Sequence, residues 1–199
     1  MRIESVNENT CMVYFGDQIG AESAGLVKQA TDRLRRDISD LIVDLVPSYT
    51  SILVTWDLEQ ADRFAIARRL RAAMEADDNG TGENDSARIV ELPVYYDPEV
   101  GLDLEDVCKH AGLSRDEVVR IHSEQLYQVY AIGFAPGFAY LGSTDERIAI
   151  PRKSTPRLKV PTGSVGIAGT QTASYPSCTP GGWQIIGRTP QKMVDWDSD

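Results

Sequence analysis

The segment from residue 133 to residue 190 constrains the fold more than any other part of the chain. It contains nine of the 16 glycines and seven of the 10 prolines in the 199-residue sequence. Glycine permits positive φ and close backbone approach, whereas proline fixes φ and lacks a backbone donor. Aromatic and apolar residues lie between these turn residues, so the segment is not a low-complexity linker. The pattern predicts short strands and shaped loops, with a binding site among the loops.

The same region is basic although the chain is acidic. Residues 131–193 carry a net charge of +5, whereas the first 130 residues carry −12 and the whole chain carries −10. A basic, glycine-rich segment in an acidic protein indicates a small anionic ligand or an acidic partner surface. The alternative is that its arginines form solvated ion pairs with the acidic half. The acidic balance argues against nucleic acid or an anionic membrane surface as partner.

Composition predicts a soluble, cytoplasmic protein. No apolar stretch is long enough to span a bilayer, and the N-terminal sequence MRIESVNENT has no apolar core of the signal-peptide kind. Cys11, Cys108 and Cys178 are far apart and odd in number, which fits a reducing cytosol and shows no metal-ligand spacing. With only His110 and His122 as histidines, we expect no metal site in this chain.

Residues 1–86 are predicted to form an N-terminal α+β domain. The predicted elements are strands over 10–15, 41–46 and 51–56 and helices over 21–38 and 59–75. Their βαββα order predicts a ferredoxin-like antiparallel sheet that one further strand would complete. The residues expected on the buried face of the second helix are Phe64, Ala67, Leu70 and Met74.

Residues 87–199 are predicted to form a second domain, because residues 77–86 (DDNGTGENDS) contain no apolar side chain and mark a boundary. Asp103 is expected to cap a short helix that Gly112 ends, and Ser114 and Glu117 form a capping box for the next one. Further strands are predicted over 87–96, 126–132, 149–150, 159–160, 164–168 and 183–187. Many short strands with dense turn signals predict a small β-barrel or sandwich.

Common nucleotide-binding and catalytic motifs are missing from the sequence. It has no G-x-x-x-x-G-K loop and no G-x-S-x-G elbow. The segment GSVGIAG precedes no predicted helix, so we interpret it as a strand that approaches another backbone through Gly166 and Gly169 rather than as a dinucleotide site. Cys178 has no base nearby in the sequence, and its neighbours predict an exposed turn rather than a nucleophile.

Three side chains are candidates for ligand chemistry. Arg152 and Arg157 lie in PRKSTPR, where two prolines restrict the loop, and guanidinium groups bind carboxylate or phosphate bidentately. His122 is suited to proton transfer or phosphate binding, although a helix-terminal histidine also commonly bonds a backbone carbonyl. His110 is expected to interact with the dipole of its helix.

An ordered series of motifs resembles one protein family. The motifs are GFAPGFAYL (133–141), PRxxxPR (151–157), VPxGSVGIAG (160–169), YP (175–176) and PGGW (180–183) followed by IGRTP, with ELPVYYDP (91–98) and IHS (121–123) before them. They resemble the family of the B subunit of 5-oxoprolinase, also known as the first subunit of allophanate hydrolase, which includes an inhibitor of a sporulation kinase. The detailed match covers about residues 87–190, and the first 80 residues match in length and element order alone.

The resemblance implies a cyclophilin-like β-barrel over 87–199 and a protein that works with homologues of the A and C subunits of 5-oxoprolinase. Their complex cleaves 5-oxo-L-proline to L-glutamate with ATP, which implies Mg²⁺ at the level of the complex. The alternatives within the family are a regulatory inhibitor that binds a sensor histidine kinase and a component related to allophanate and urea carboxylase metabolism. Family members continue past IGRTP into further strands, so we expect terminal barrel strands to be missing here.

The family's reaction also assigns roles to residues. A lactam is a stable amide, so its opening benefits from activation of the ring carbonyl oxygen by phosphate. The resemblance therefore implies that Arg152 and Arg157 bind the substrate carboxylate or phosphate, and that His122 transfers a proton or donates a hydrogen bond. The expected site walls are Pro136, Gly137, Phe138, Gly181, Gly182 and Trp183.

Overall fold

The structure, a computed structural model, describes residues 1–75 and 88–195. The chain divides into two compact units, Met1–Ile89 and Val90–Asp199. The predicted boundary over 77–86 lies outside the described residues. Both units combine helices with antiparallel sheets, which confirms the predicted mixed α and β class.

The first unit is a four-stranded antiparallel sheet with two helices. Its elements are β1 Arg2–Ser5, β2 Thr10–Tyr14, α1 Ala21–Asp37, β3 Ile42–Pro47, β4 Ser51–Trp56 and α2 Arg63–Glu75. The sheet order is β1-β2-β4-β3, and every neighbouring pair is antiparallel. The predicted hairpin of β3 and β4 is confirmed, whereas β1 was not predicted because RIES has no apolar alternation.

The two helices of this unit differ in how well periodicity located their buried faces. On α1 the spacing was correct, because Val27, Leu34 and the following Ile38 are buried. On α2 the expected burial of Phe64 was wrong, since this side chain is 68% exposed. The helix begins at Arg63 rather than 59, with Asp62 Oδ1 accepting hydrogen bonds from the first-turn amides. The expected burial of Leu70 is confirmed, and Ile66 and Ala73 are the other buried residues of α2.

The second unit carries two helices and seven strands among its described residues. They are α3 Leu104–Ala111, α4 Arg115–Ser123, β5 Gln128–Ile132, β6 Ala139–Gly142, β7 Arg157–Val160, β8 Ser164–Ala168, β9 Gln171–Ser174, β10 Thr179–Gly181 and β11 Gln184–Arg188, with a 3₁₀ turn at Glu146–Ile148. Five strands form an antiparallel sheet in the order β11-β8-β9-β6-β5, and β10 pairs with β7. The strands expected over 87–96 and 149–150 are reduced to the single bridges Tyr95–Arg188 and Ile150–Gly169.

The five-stranded sheet separates two cores. One face packs against α3 and α4, and Val107, Val118 and Ile186 belong to the buried cluster on this side. The other face carries an aromatic cluster that includes Phe138, Trp183 and the neighbouring Ile185. Because successive residues of a strand point to opposite faces, Trp183 and Ile185 pack in the aromatic core and Ile186 packs in the core beneath the helices.

Helix ends and glycines of this unit test the local predictions. Gly112 ends α3 with φ +67, and the Ser114–Glu117 capping box is formed, as predicted. The capping role expected of the Asp103 side chain was wrong, because its carboxylate binds elsewhere and caps nothing. Gly166 does allow close approach, since a Cβ there would lie 3.1 Å from the carbonyl oxygen of Gln184. Gly169 also approaches another backbone, since it forms the single bridge with Ile150 and its N–H donates to the Ile150 carbonyl at 2.7 Å; its φ of +59 favours glycine.

No helix among residues 1–75 and 88–195 has the length and apolar character that a membrane span requires.

Candidate functional site

The Asp103 carboxylate binds two cations of the segment 151–157. Its Oδ1 accepts hydrogen bonds from Lys153 Nζ and Arg157 Nη2, each at 2.7 Å, and its Oδ2 accepts one from Arg157 Nη1 at 2.8 Å. The backbone N–H of Ile185 donates to Oδ2 at 2.7 Å. Asp103 is only 1% exposed, so these bonds fasten the segment to the N-terminal end of α3. We call Asp103, Lys153 and Arg157 the anchor.

The anchor keeps its carboxylate ionised. Burial raises the pKa of Asp103, but the hydrogen bonds from Arg157 and Lys153 and from the Ile185 amide outweigh burial, and the pKa lies below its ordinary value of 3.8. Two cations therefore share one anion, which leaves an excess positive charge beside the loop.

Arg152 lies next to the anchor but has no acidic partner among the described residues. Its guanidinium carbon is 5.6 Å from the centroid of the Trp183 ring, a cation–π arrangement, and its side chain is exposed. Trp183 is only 4% exposed and packs edge-on against Phe138, with ring centroids 5.8 Å apart. The exposed guanidinium of Arg152 therefore lies beside a buried aromatic ring.

The predicted Gly-Gly-Trp wall is bonded to the same loop. The backbone N–H of Lys153 donates to the carbonyl of Gly182 at 2.7 Å. A side chain at Gly181 would overlap the hydroxyl of Tyr175, so glycine is needed for this close packing. The structure thus brings Gly181, Gly182 and Trp183 together with Arg152, and Phe138 through its contact with Trp183.

The remaining predicted wall residues precede Phe138. Pro136 is exposed, and Gly137 has φ +76, a conformation that favours glycine. A Cβ at Gly137 would overlap Val194 Cγ2 and lie 3.1 Å from the carbonyl oxygen of Met193. These two residues lie in the loop that leads into the aromatic cluster.

An open cleft of about 430 Å³ adjoins Arg152. Its lining residues are His110, Ile150, Pro151, Arg152, Lys153, Ser154, Thr155 and Gln184. The cations, hydroxyl groups and amide of this lining suit a small anion such as a carboxylate or phosphate. Across the described parts of the chain, no group of three or more His, Cys, Asp or Glu side chains is placed to hold a metal ion.

The sequence did not predict the cleft positions of His110 and Gln184. His110 is in the last turn of α3, as expected for a residue that interacts with the helix dipole, but it also lines the cleft. Gln184 directly follows the PGGW motif, and strand alternation from the buried Trp183 is the one signal that could have placed it. Cys178 is exposed before β10 and is not part of the cleft lining.

His122 lies in a buried hydrogen-bonded chain and does not line the cleft. Its Nδ1 is 2.7 Å from Tyr96 Oη, and its Nε2 is 2.8 Å from Thr172 Oγ1. Because Thr172 Oγ1 donates to the carbonyl of Gly166, it must accept from His122 Nε2–H, which leaves Nδ1 to accept from Tyr96. Burial lowers the pKa of His122 to about 4, so the imidazole is neutral at pH 7. The alternative that the His122 ring bonds a backbone carbonyl is wrong, because both ring nitrogens bond side-chain hydroxyls. The catalytic role of His122 stays a prediction.

Sequence comparisons agree with the motif series. The family model described as carboxyltransferase domain, subdomain C and D, matches residues 1–199. The B subunit of 5-oxoprolinase from Bacillus subtilis (strain 168) is 41% identical over 201 residues, covering 95% of this chain and 82% of the relative. The protein of the same name from Escherichia coli O157:H7 is 41% identical over 165 residues, covering 82% of this chain and 74% of the relative.

Solved structures share the fold. The TTHA0988 structure superposes with a TM-score of 0.81 at 31% identity, and this chain covers 37% of that longer chain while 97% of its own length is matched. PH0987 from Pyrococcus horikoshii gives a TM-score of 0.55 at 40% identity, covering 99% of this chain and 89% of that one. The Kluyveromyces lactis urea carboxylase, at 16% identity and a TM-score of 0.68, supports the fold alone; 96% of this chain and 20% of that chain are covered. This chain therefore belongs to the family of carboxyltransferase domains with subdomains C and D, and within it is similar to the B subunit of 5-oxoprolinase.

Proposed function

We propose that this chain is the B subunit of a cytoplasmic, ATP-dependent 5-oxoprolinase. Together with homologues of the A and C subunits, it would open the lactam of 5-oxo-L-proline to give L-glutamate. Similarity to the Bacillus subtilis protein named as the B subunit of 5-oxoprolinase, over 95% of the chain, supports the proposal. ATP and Mg²⁺ would act at the level of the complex, and the chain would not be active by itself.

The exposed guanidinium of Arg152 is the observation in the site that best supports the proposal, because it could bind an anionic group. Lys153 and Arg157 share the carboxylate of Asp103, whereas Arg152 has no acidic partner among the described residues and adjoins the cleft. We assign it to the substrate carboxylate or to phosphate on the activated carbonyl oxygen. A positioned cation stabilises negative charge that develops at such an oxygen, and it needs no rearrangement to do so.

The other predicted residues receive supporting roles. Arg157 would add positive potential at the site through the anchor, since both of its terminal nitrogens already bind Asp103. The predicted wall residues would exclude water around the substrate; they are Pro136, Gly137, Phe138, Gly181, Gly182 and Trp183. Of the two roles implied for His122, proton transfer and hydrogen bonding, we assign hydrogen bonding. The buried neutral imidazole bonds both Tyr96 and Thr172 and would hold them in place.

We also propose specific folds for the two units. In the first, β2 and β3 run in the same direction with β4 between them, as a ferredoxin-like sheet requires. The edge beside β2, where a final strand was expected, is occupied by the preceding strand β1. In the second, the set of short antiparallel strands supports a cyclophilin-like barrel, with β10 and β7 forming a pair of their own beside the five-stranded sheet.

The test is ATP-dependent L-glutamate formation from 5-oxo-L-proline by this chain with its candidate A and C subunits. The Bacillus subtilis relative with its own partners is the positive control, and omission of ATP is the negative one. We expect glutamate in the complete mixture alone. Absence of glutamate in that mixture, with a working control, rejects the proposal. Full activity of both Arg152→Ala and Arg157→Ala would instead reject the roles given to the arginines.

A further inference from the structure

The α2 helix presents an exposed stripe of one aromatic and two cationic side chains. Its buried residues are spaced at i, i+4 and i+7, and they are Ile66, Leu70 and Ala73. The same spacing shifted by two residues gives a set that is exposed throughout, namely Phe64, Arg68 and Arg71. With about 100° of rotation per residue, the shift places the second set about 200° from the first, on the solvent side of the helix. Arg63 is also exposed and flanks this stripe, and we call these four residues the α2 face.

The cations of the α2 face have no carboxylate partner among the described residues. Arg63 lies over the ring of Phe64, with its guanidinium carbon 4.6 Å from the ring centroid. The helix dipole disfavours a cation in the first turn, so the charge of Arg63 does not stabilise α2. Arg69, by contrast, lies outside the face and pairs with Asp40 at 3.8 Å. The charge of the α2 face is therefore available to a partner.

The helix α1 shows a different charge pattern. Lys28 pairs with Asp32 at 3.3 Å, and Arg36 pairs with Asp37 at 2.8 Å, so both signs lie side by side on that helix. In α2, Glu75 at the C-terminal end is the only acidic residue of 13. Mixed signs are typical of a helix surface that stays in water, whereas a field of one sign attracts the opposite charge. The α2 face is therefore suited to an acidic partner.

The side-chain types of the α2 face are those that protein interfaces favour. Phe64 is 68% exposed, and aromatic and arginine side chains are enriched among the interface residues that contribute most to binding. Guanidinium groups pair with carboxylates, so the partner should carry aspartate or glutamate opposite Arg68 and Arg71. The net charge of −10 disfavours a nucleic acid or an anionic membrane as the occupant. These features together favour an acidic protein surface.

We propose that the α2 face binds a carboxylate-rich surface of a partner subunit, with Phe64 in an apolar depression and with carboxylates on Arg68 and Arg71. This inference rests on the proposed function, in which the chain acts with homologues of the A and C subunits. It adds the surface through which the first unit, Met1–Ile89, contacts one of them. The cleft with Arg152 belongs to the second unit and is not part of this contact.

The experiment is isothermal titration of the chain into each purified candidate subunit. We expect one of the two subunits to bind the wild type, and the double variant Arg68→Glu, Arg71→Glu to bind it at least about 100-fold more weakly, because like charges then face each other. Phe64→Ala should weaken binding about 10- to 30-fold, as for a central aromatic contact. All three side chains are exposed, so the urea midpoint of the isolated variants should match the wild type.

The matched control is the double variant Lys28→Glu, Arg120→Glu. It changes the net charge by the same amount, but its two cations belong to exposed i,i+4 pairs on other helices. Its affinity for the subunit should stay within about twofold of the wild type, since salt screens charges that lie away from the contact. Equal losses in the two double variants would show an effect of net charge alone and would overturn the inference.

A cross-linking experiment identifies the occupant. Arg68→Lys with Arg71→Lys keeps the positive charge and supplies amines, which a carbodiimide joins to carboxylates in direct contact. We expect cross-links from both positions to aspartate or glutamate of the partner subunit. Cross-links confined to this chain, or to a second copy in a dimer seen by sedimentation, would overturn the assignment to a partner.

Unchanged affinity of Phe64→Ala and of Arg68→Glu, Arg71→Glu also overturns the inference, as does a wild type that binds neither subunit. The glutamate assay then separates the two proposals. If the complete mixture still forms glutamate, the proposed function stands and only the α2 face fails. If it forms none beside a working control, the proposed function fails as well.

Discussion

The anchor and the cleft lie next to each other on one short segment, but the cations of the anchor are paired with a carboxylate and Arg152 in the cleft is not. In the anchor, the Asp103 carboxylate accepts four hydrogen bonds, and both of its cations are neutralised in part. In the cleft, Arg152 is exposed and has no acidic partner among the described residues. Polar groups that are satisfied within the chain hold the fold, whereas groups left open at a cleft are suited to a ligand. The anchor thus fixes the loop that presents Arg152.

Removing the carboxylate of the anchor should have the largest effect. Asp103→Ala leaves two cations without their buried partner and the Ile185 amide without an acceptor, so we expect the free energy of unfolding to fall by about 3–5 kcal/mol. Urea unfolding at pH 7 measures the change. Glu105→Ala is the matched control, because it removes a carboxylate from the exposed pair with Arg115 and should change little. Equal losses in the two variants would contradict the role of the anchor.

The same variant has a defined pH dependence. Because the folded pKa of Asp103 is lower than its ordinary value of 3.8, its stabilisation is present in full above about pH 4. It is lost as the pH falls further and the folded carboxylate becomes protonated. The difference in unfolding free energy between wild type and Asp103→Ala should therefore shrink below about pH 4. A difference that stays constant down to the acid transition would speak against an ionic anchor.

His122 is a second buried group whose hydrogen bonds are formed within the protein, and its contribution to stability can be tested. Its folded pKa is lowered from 6.5 to about 4 by burial, so its contribution to stability is complete above pH 6.5 and is lost as the pH falls towards 4. We expect this residue to account for roughly 3 kcal/mol of the wild-type loss over that interval. His122→Gln cannot titrate and should show a correspondingly flatter pH profile in urea unfolding.

The matched control for His122 is His110→Gln, which removes an exposed imidazole at the end of α3. It shows whether replacement of an exposed imidazole alone changes the pH profile. If His122→Gln retains the wild-type slope between pH 6.5 and 4, the buried imidazole is not the group that titrates.

Arg152 provides the test for the cleft. Arg152→Ala should lower kcat/KM of the assembled complex about 10- to 100-fold, as expected for a lost charge-assisted hydrogen bond. The free energy of unfolding should stay within about 0.5 kcal/mol of the wild type, because the side chain is exposed. Lys159→Ala, which removes an exposed cation of β7 outside the cleft lining, should leave both quantities near wild type. A variant of Arg152 that unfolds as readily as Asp103→Ala would erase the distinction between anchor and cleft.

The sequence predicted those elements in which the spacing of apolar residues marks the buried face. Apolar periodicity located α1 and the hairpin of β3 and β4, because these elements bury one face against a single core. It did not predict β1, β6, β9 or β10, which are three or four residues long and rich in glycine, proline or polar side chains. Such strands form because their partners supply the hydrogen bonds, so their pairing is a property of the assembled sheet.

The site likewise has features that the sequence indicated and features that depend on contacts between distant segments. The family resemblance implied that Arg152 and the Gly-Gly-Trp turn belong to one site, and the two segments lie together in the structure. The bonds of Asp103 to Lys153 and Arg157 span 50 and 54 residues, and local spacing suggested a helix cap instead. The cleft position of His110 likewise depends on how the loop passes the end of α3, which no local pattern encodes.

Gly137 offers the smallest effect and tests whether the loop before Phe138 is as rigid as the anchored one. Gly137→Ala forces an alanine into φ +76, which costs about 1–2 kcal/mol, and its Cβ would crowd the carbonyl of Met193. Thermal and urea unfolding should show this loss. Gly133→Ala is the control, because its Cβ meets nothing within 4 Å among the described residues and its φ is not positive. Equal stability of the two variants would mean that the loop adapts to a side chain at Gly137, and a loop of that kind cannot serve as a fixed wall beside Phe138.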